Sequence, residues 1–459
     1  MKAFNGQQRQ KLHGLAVFAA NVVRFCLAIT LVFSGSVKLN DPIGTVYKLQ
    51  EYLNAWELPI PHDITVLGAV TLGVLEFTLG VYMLFGISLR KTSRFTLAFI
   101  ILMTLLTAYI AIFNPVEDCG CFGDAVKLSN IQTLLKNILL LAMAIIVVWK
   151  PSWQVKLLTS NTSWILSLFT LFYAFMLSYH SIKYLPVVDY RPFHIGANIP
   201  QGMDVPEDEQ PVYESRIIYE KDGQRITLDA EDEDPDSTWH YVETETKLVK
   251  EGGKPKITNF YIFDFRNEID VTDDILYDEG YTFLLISHNL RTADDGTSGR
   301  VNDIYDYCMA NGYGFYCVTA SDSASISHWV DHTGAEYNIC LGEEQTLMAM
   351  VRANPGLVLL HGGKVVMKWS NLLLPTEEEL DKPLEEMGWD EEGERDVSKQ
   401  TIKLLLMFFV PLICLIIIDR IAARWAFYRM VRRKTKNMGK ERKGKNINDK
   451  LNNTKTKEK

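Results

Sequence analysis

Long apolar stretches occupy most of the first 185 residues and constrain this chain more than any other feature. A helix needs about 20 mostly apolar residues to cross a bilayer. The predicted membrane spans are residues 20–38, 64–87, 95–113, 131–149, 163–182 and 401–418. Arg24 interrupts the first span, and we expect its side chain to snorkel to the membrane interface. The N-terminus lacks a small-residue cleavage site after a short apolar core, so we do not expect a cleavable signal peptide.

Charge is divided unevenly along the chain. Residues 1–185 hold 14 Lys and Arg against 8 Asp and Glu, residues 186–400 hold 17 against 44, and residues 419–459 hold 15 against 4. Such asymmetry indicates regions in different environments. It excludes a chain that is disordered throughout and a protein of generally basic, nucleic-acid-binding character. Seven cysteines in 459 residues are also too few for a small disulfide scaffold.

Lys and Arg in short loops predict the orientation of the spans. The segment before the first span, the loops after the second and fourth spans, and the tail after the sixth are all basic. Six spans place these four segments on one side, which is predicted to be cytoplasmic. Residues 39–63, 114–130 and 186–400 are then predicted to lie on the other side. The basic tail 419–459 is interpreted as an anchor that contacts anionic lipid, and not as a site for nucleic acid.

The exported region begins with a β-rich segment, residues 186–280, in which the acidic run Asp229–Asp236 predicts a solvated loop. From residue 281 strand-like and helical patterns alternate. The predicted order is strand Tyr281–Ser287, helix Val301–Ala310, strand Gly314–Thr319, helix Ile326–His332, helix Glu343–Ala353, strand Gly356–Leu360 and strand Lys364–Trp369. This order resembles a thioredoxin-like fold, and the resemblance implies that Pro355 is cis.

The thioredoxin-like segment departs from that family at its most important position. Thioredoxin-like redox proteins carry Cys-x-x-Cys after the first of these strands, but this chain has Ser287-His288-Asn289-Leu290-Arg291-Thr292 there. Without the thiols that dithiol exchange requires, we expect a binding or docking module. The three cysteines of the region, Cys308, Cys317 and Cys340, are dispersed, and Cys317 is predicted to be a small buried side chain.

Cys119 and Cys121, in the predicted outward loop between the third and fourth spans, form the motif best suited to chemistry. Gly120 supplies the backbone freedom that lets the two sulfurs approach each other. A tight, exposed disulfide would be oxidising and labile, which favours a redox pair, but a loop staple and a metal site remain open. No His accompanies the thiols, so no metal is predicted. Asp118 and Asp124 flank the pair and are expected to raise the thiol pKa values.

Five short motifs lie within residues 15–150: Phe33-Ser34-Gly35-Ser36-Val37-Lys38, Asp41-Pro42, Leu75-Glu76-Phe77, Cys119-Gly120-Cys121-Phe122-Gly123-Asp124 and Lys136-Asn137. With these motifs, the region resembles the four-span DoxX and methylamine-utilisation MauE membrane proteins. The complete layout is similar to DoxX-family proteins of Bacteroidetes. It implies redox-associated work in a bacterial inner membrane, with residues 186–400 periplasmic. It also implies a quinone as the membrane electron acceptor, and an exported client protein as partner.

The predicted fold class is therefore a membrane α-helical bundle with an exported α/β thioredoxin-like domain. The bundle has a four-span DoxX/MauE-like core, residues 1–150, and two further spans. The remaining parts are the fifth span (151–185), the β-rich segment (186–280), the thioredoxin-like domain (281–400), the sixth span (401–418) and the cytoplasmic tail (419–459).

Glu76 is predicted to lie near the middle of the second span, where a carboxylate is costly and usually faces a bundle interior. It is interpreted either as a proton relay or quinone ligand for the cysteine pair, or as a structural hydrogen-bonding group. Lys136 is its nearest predicted partner. Lys38 and Asp41, at the outer end of the first span, are interpreted as either interfacial or functional.

Three functions compete on this sequence. The first is a thiol-disulfide oxidoreductase in which Cys119 and Cys121 pass electrons to a membrane quinone. The second is a non-catalytic assembly factor whose thioredoxin-like domain binds a partner while the cysteines staple the loop. Small-molecule transport is a weaker third, because neither an inverted repeat nor a pair of broken helices is visible.

Overall fold

The computed structural model describes residues 6–455 except 117, 160–161, 206–209, 211, 222–223, 230–238, 251, 254 and 390–396. The chain divides into two compact units. Residues 1–182, 186–188 and 398–459 form the helical unit, and residues 183–185 and 189–397 form the α/β unit. Beyond Asp229, the predicted acidic loop up to Asp236 lies outside the described residues.

The helical unit contains seven helices among its described residues. Six of them are long and apolar enough to cross a membrane, which confirms the six predicted spans. The helices are α1 (Gly6–Asn40), α2 (Pro42–Ala55), α3 (His62–Phe85), α4 (Leu89–Phe113), α5 (Asn130–Trp149), α6 (Ser163–Lys183) and the last helix of the chain, α12 (Val397–Lys455).

The short helix α2 was not predicted. Its start is encoded by Asp41, whose carboxylate accepts a hydrogen bond from the Gly44 amide at 2.9 Å, and by Pro42 at the first helical position. Both are typical signals for the N-terminus of a helix. Asp41 therefore acts as a helix cap, and α2 forms one wall of the site described below.

Helices α1 and α3 cross at very short range because glycines face the contact. A Cβ atom on Gly35 would lie 2.5 Å from the backbone nitrogen of Phe77, and one on Gly80 would lie 2.7 Å from that of Val32. Small residues permit such backbone approach between membrane helices. The close crossing brings Lys38 of α1 within reach of Glu76 of α3.

Arg24 contacts the connection between two spans, and its predicted snorkelling to the membrane interface stays a prediction. Its side chain is 0% exposed and donates a hydrogen bond to the Val155 carbonyl at 2.6 Å. Asn21 binds the same connection between α5 and α6, donating to the Trp153 carbonyl at 3.0 Å. The guanidinium is covered because this connection folds back over it.

The sixth span and the basic tail form one continuous helix, α12, up to Lys455. Asp419, at the predicted start of the tail, is buried and accepts hydrogen bonds from the hydroxyls of Thr159 and Thr162. These contacts attach α12 to the segment that precedes α6.

The α/β unit contains two sheets. The first is antiparallel with strand order β2-β1-β3, formed by β1 (Val212–Lys221), β2 (Gln224–Asp229) and β3 (His240–Lys250). The second has seven strands in the order β10-β9-β6-β7-β8-β4-β5. Its strands are β4 (Phe263–Asp264), β5 (Ile269–Asp270), β6 (Tyr281–Ser287), β7 (Gly314–Thr319), β8 (Asn338–Leu341), β9 (Gly356–His361) and β10 (Lys364–Ser370).

The large sheet has the arrangement expected of a thioredoxin-like fold. Strands β6, β7 and β8 are parallel, while β9 and β10 form an antiparallel hairpin at one edge. Its helices are α7 (Ile199–Met203), α8 (Thr272–Leu276), α9 (Ser298–Asn311), α10 (Ser323–Thr333) and α11 (Glu344–Met350). The peptide bond before Pro355 is cis, as predicted.

Several details of this unit differ from the prediction. The short helices α7 and α8 lie in the segment that was predicted to be β-rich. Strand β8 was missed, because its four residues are too few to show a period. Glu343 was predicted inside a helix, but it caps α11 by accepting a hydrogen bond from the Thr346 amide at 2.6 Å.

The α1–α3 crossing generates the first prediction. Gly35→Ala should lower the free energy of unfolding by about 1–3 kcal/mol, because the new methyl group meets backbone that cannot give way. Thermal unfolding in detergent measures the effect. Gly14→Ala is the matched control in the same helix, since nothing lies within 4 Å of its added carbon. Equal melting temperatures for the two variants would contradict the close crossing.

Candidate functional site

Cys119 and Cys121 lie together in the loop between α4 and α5. Their sulfurs are 3.0 Å apart, and both are free thiols on partly buried side chains. A disulfide has a sulfur–sulfur distance of about 2.05 Å, so a small movement of the loop closes the bond. Gly120 between them has φ +63°, and a Cβ there would lie 2.9 Å from Cγ of Lys48. Glycine is therefore required by both backbone conformation and space.

The Cys121 side of the loop is fastened to the α1–α3 crossing. The Cys121 carbonyl accepts hydrogen bonds from the Lys38 ammonium at 2.6 Å and from the Ser34 hydroxyl at 2.8 Å. Lys38 also forms a 2.8 Å ion pair with Glu76, in which both side chains are about nine-tenths buried. A buried ion pair is strongly disrupted when one partner is lost, so the loop rests on a fixed polar support.

The Cys119 side of the loop is fastened to α2. The Tyr52 hydroxyl donates to the Cys119 carbonyl at 2.9 Å. Lys48 lies 3.2 Å from Asp118 and 3.0 Å from Glu51. The carboxylate that precedes the cysteines is therefore balanced by a cation on the neighbouring helix.

The two thiols differ electrostatically. The hydrogen bond between the sulfurs lowers the pKa of Cys121 to about 6 and raises that of Cys119. Burial opposes ionisation of both, while Lys136 and Lys38 favour the Cys121 thiolate. The pKa of Cys119 is raised as expected, but mainly by the hydrogen bond with Cys121 and by burial, while the pKa of Cys121 is lowered, contrary to the effect expected of Asp118 and Asp124.

Glu76 has a different partner from the one predicted. Its ion pair is with Lys38 on α1, and not with Lys136 on α5. The Lys136 ammonium instead lies 4.2 Å from the centre of the Phe122 ring. Lys136 thus remains next to the cysteine loop, but as a cation–π partner of the residue that follows Cys121.

A cavity of about 400 Å³ lies between helices α1 to α5 and the cysteine loop. Most of its wall consists of Leu, Ile, Met and aromatic side chains, including Tyr52, Trp56 and Met103. Its polar lining includes Ser34, Lys38, Lys48, Glu76, Lys136 and Asn137, together with Cys119 and Cys121. A mostly apolar cavity with a few convergent polar groups is the usual form of a small-molecule site.

The loop after β6 in the α/β unit, where thioredoxin-like redox proteins carry Cys-x-x-Cys, has no thiol in this chain. The loop after β6 is joined to Pro355's neighbour Asn354, which accepts from Ser287 at 2.7 Å and donates to the Asn289 carbonyl at 2.9 Å. Cys308, Cys317 and Cys340 are all 0% exposed. Burial raises the pKa of Cys308 and of Cys340 to about 12, and it also raises that of Cys317.

Within the residues that the structure describes, no group of three or more His, Cys, Asp or Glu could hold a metal ion. The α/β unit has a surface cavity of about 380 Å³ beside the loop after β6, lined by Leu290, Arg291, His328 and Trp329 among others.

Sequence reasoning missed four residues that organise the loop: Ser34, Tyr52, Lys48 and, as the partner of Glu76, Lys38. Ser34 and Lys38 are four residues apart and so share one face of α1, which was the available signal. Tyr52 and Lys48 gave none, because helix α2 itself was not predicted.

Comparison with known protein families supports the resemblance of the first spans to MauE. The family model described as "Methylamine utilisation protein MauE" matches residues 16–150. A second model, described as "Domain of unknown function (DUF8463)", matches residues 213–251, the segment of the three-stranded sheet. No curated protein matches the sequence.

Three solved structures are similar to part of the chain. The thioredoxin domain of a thiol-disulfide oxidoreductase from Bacteroides vulgatus is 14% identical, with 24% of this chain and 81% of that chain covered and a TM-score of 0.21. An uncharacterized thioredoxin-like protein from Porphyromonas gingivalis is 17% identical, with 30% and 95% covered and a TM-score of 0.24. A putative protein disulfide isomerase from Bacteroides thetaiotaomicron is 14% identical, with 31% and 90% covered and a TM-score of 0.23. At these scores, the description of the α/β unit rests on its own strand order.

The electrostatics of the loop generate the second prediction. In reduced protein whose exposed Cys26 and Cys414 are changed to Ser, Cys121 should be alkylated with a half-maximal rate near pH 6, since only the thiolate reacts. Cys119 should react only in the alkaline range. Peptide mapping by mass spectrometry across pH measures both. Cys119→Ala should shift the Cys121 profile to higher pH, because the sulfur–sulfur hydrogen bond is lost. Two equal profiles near pH 9 would contradict the assignment.

Proposed function

We propose that this protein is a redox-associated membrane protein in which Cys119 and Cys121 cycle between dithiol and disulfide on behalf of an exported client. One observation carries the proposal: two free sulfurs lie 3.0 Å apart on a loop that lines a mostly apolar cavity. The MauE match over residues 16–150 supports a redox-related role for this part of the chain. A place in amine metabolism is a finer proposal that follows only from that family's description.

The cycle has two balanced steps. In the first, a thiolate of the client attacks the Cys119–Cys121 disulfide and forms a mixed disulfide, which a second thiol of the client resolves; the client leaves with a disulfide and the pair is left as two thiols. In the second, Cys121 gives up its proton on ionisation, and the Cys121 thiolate and the Cys119 thiol then lose two electrons and the remaining thiol proton as the sulfur–sulfur bond forms again. A membrane quinone accepts the two electrons and these two protons and leaves as quinol.

The cavity supports a quinone as this acceptor. An apolar wall suits a lipid-soluble ring, and the ammonium of Lys136 is a hydrogen-bond donor for one of its carbonyl oxygens. Lys136 lines the cavity together with Cys121, so an electron acceptor there would lie next to the sulfur of lower pKa.

Glu76 is proposed as the proton relay of this step. It lines the same cavity and is paired with Lys38, which contacts the Cys121 carbonyl. A carboxylate in this position can take up a proton as the thiols are oxidised and pass it to the reduced acceptor.

The proposed location is the inner membrane of a bacterium, with both termini in the cytoplasm and residues 186–400 in the periplasm. The four basic segments support this orientation. It places the cysteine loop in an oxidising compartment, where disulfides persist. The α/β unit, which has no Cys-x-x-Cys, is proposed to bind the client and not to exchange electrons with it.

The second candidate function is a non-catalytic assembly factor. The hydrogen bonds from Tyr52, Ser34 and Lys38 to the loop favour it, because a loop held so firmly suits a structural staple as well as a redox pair. In that case the disulfide would form once and remain closed.

Thiol trapping separates the two functions. The experiment uses membranes that contain the Cys26→Ser/Cys414→Ser protein and a maleimide reagent that adds mass to free thiols. The reagent should label Cys119 and Cys121 after reduction, and this labelling should disappear when a short-tailed quinone is added. If the pair instead stays oxidised in cells, and Cys119→Ser/Cys121→Ser restores growth to a deletion strain as well as wild type does, the redox proposal is wrong.

A second experiment tests the cavity. Met103→Trp should fill part of it and slow quinone-dependent oxidation of the pair at least about tenfold, a loss equivalent to about 1.4 kcal/mol of transition-state stabilisation. Leu102→Trp, on the exposed face of the same helix, is the matched control and should oxidise normally. Oxidation by diamide, which needs no cavity, should be equal in both. Equal quinone rates in the two variants would exclude this cavity as the acceptor site.

A further inference from the structure

Lys38 occupies an unusual position for a residue in a predicted membrane span. Its ammonium has three donors, and three oxygens take them: Glu76 at 2.8 Å, the Ser34 hydroxyl at 2.9 Å and the Cys121 carbonyl at 2.6 Å. The side chain is buried, with 8% exposed. Because all three donors of the buried ammonium are engaged, its orientation is fixed. Its hydrogen bond to the Cys121 carbonyl therefore fixes the position of the Cys121 peptide.

Glu76 determines where Lys38 points. The two side chains meet only because Gly35 and Gly80 allow α1 and α3 to approach closely. The carboxylate balances the charge of the ammonium, which makes burial of the pair tolerable. Of the two charged groups in the ion pair, the ammonium is the one that contacts the cysteine loop.

We propose that Lys38 is a positioning residue for the redox pair: it fixes the Cys121 peptide at the cavity and provides a permanent positive charge beside the Cys121 sulfur. This inference rests on the proposed function, since it assigns how the reactive thiolate of that cycle is held. Lys38 contacts the backbone of Cys121 and does not itself exchange electrons.

The other charged and titratable groups around the pair come from every neighbouring element. Glu76 lies on α3, Lys136 on α5, Tyr52 and Lys48 on α2, Tyr109 on α4, and Asp118 and Asp124 in the loop itself. Lys48 is engaged by Asp118 and Glu51, and Lys136 faces the Phe122 ring. Among the residues that the structure describes, Lys38 is the one of these cations that donates directly to a cysteine of the pair.

The test follows alkylation of Cys121 against pH in the Cys26→Ser/Cys414→Ser/Cys119→Ala protein, where the sulfur–sulfur hydrogen bond is absent. Lys38→Met should move the midpoint upward by at least one pH unit, so that the rate below the midpoint falls about tenfold. Lys38→Arg, which keeps the charge, should restore most of the rate. Lys127→Met removes an exposed lysine of the same loop and should leave the profile unchanged.

A Lys38→Met protein that fails to fold does not end the test. Lys38→Met/Glu76→Gln removes the ion pair without leaving a buried charge unpaired, and it should show the same upward shift. The inference would be overturned if the alkylation profile of the double variant coincided with that of the Lys127→Met control. The readout is the ionisation of one thiol in reduced protein, so it is independent of whether the pair cycles with quinone. If the Lys38 variants shift the alkylation midpoint as expected but the cysteine pair does not cycle with quinone, only the proposed function is contradicted.

Discussion

The buried ion pair between Lys38 and Glu76 is the interaction on which the site of the helical unit depends. It exists because glycines let α1 and α3 approach closely, and it holds the cysteine loop because the third donor of Lys38 binds the Cys121 carbonyl. Loss of one partner of a buried pair costs about 3–5 kcal/mol. The packing of two helices, the position of a loop and the ionisation of a thiol are thus linked through one ammonium group.

The chain separates features that thioredoxin-like redox proteins combine. Its α/β unit has the strand order and the cis Pro355 of that fold, but Ser287, Asn289 and Asn354 form a hydrogen-bonded polar cluster at the position of the dithiol. The close pair of thiols, Cys119 and Cys121, lies instead in a loop between two helices of the other unit. A fold alone therefore does not locate the chemistry of this protein.

Much of the architecture could be predicted from the sequence, since long apolar runs and alternating strand patterns are local signals. Strands Tyr281–Ser287 and Gly314–Thr319 were predicted with their observed bounds. The pairing of Lys38 with Glu76 could not be predicted, because the two residues are 38 positions apart and their contact depends on the rotation of two helices. Helix α2 was missed although Asp41-Pro42 marks its start, and with it the roles of Lys48 and Tyr52.

The burial of Cys308, Cys317 and Cys340 has a consequence for electron flow. Thiols with such high pKa values are almost entirely protonated near neutral pH, and protonated thiols are poor nucleophiles. These three thiols are therefore poorly suited to disulfide exchange. In the proposed cycle, electrons from a client would reach the membrane acceptor through Cys119 and Cys121, and not through the cysteines of the α/β unit.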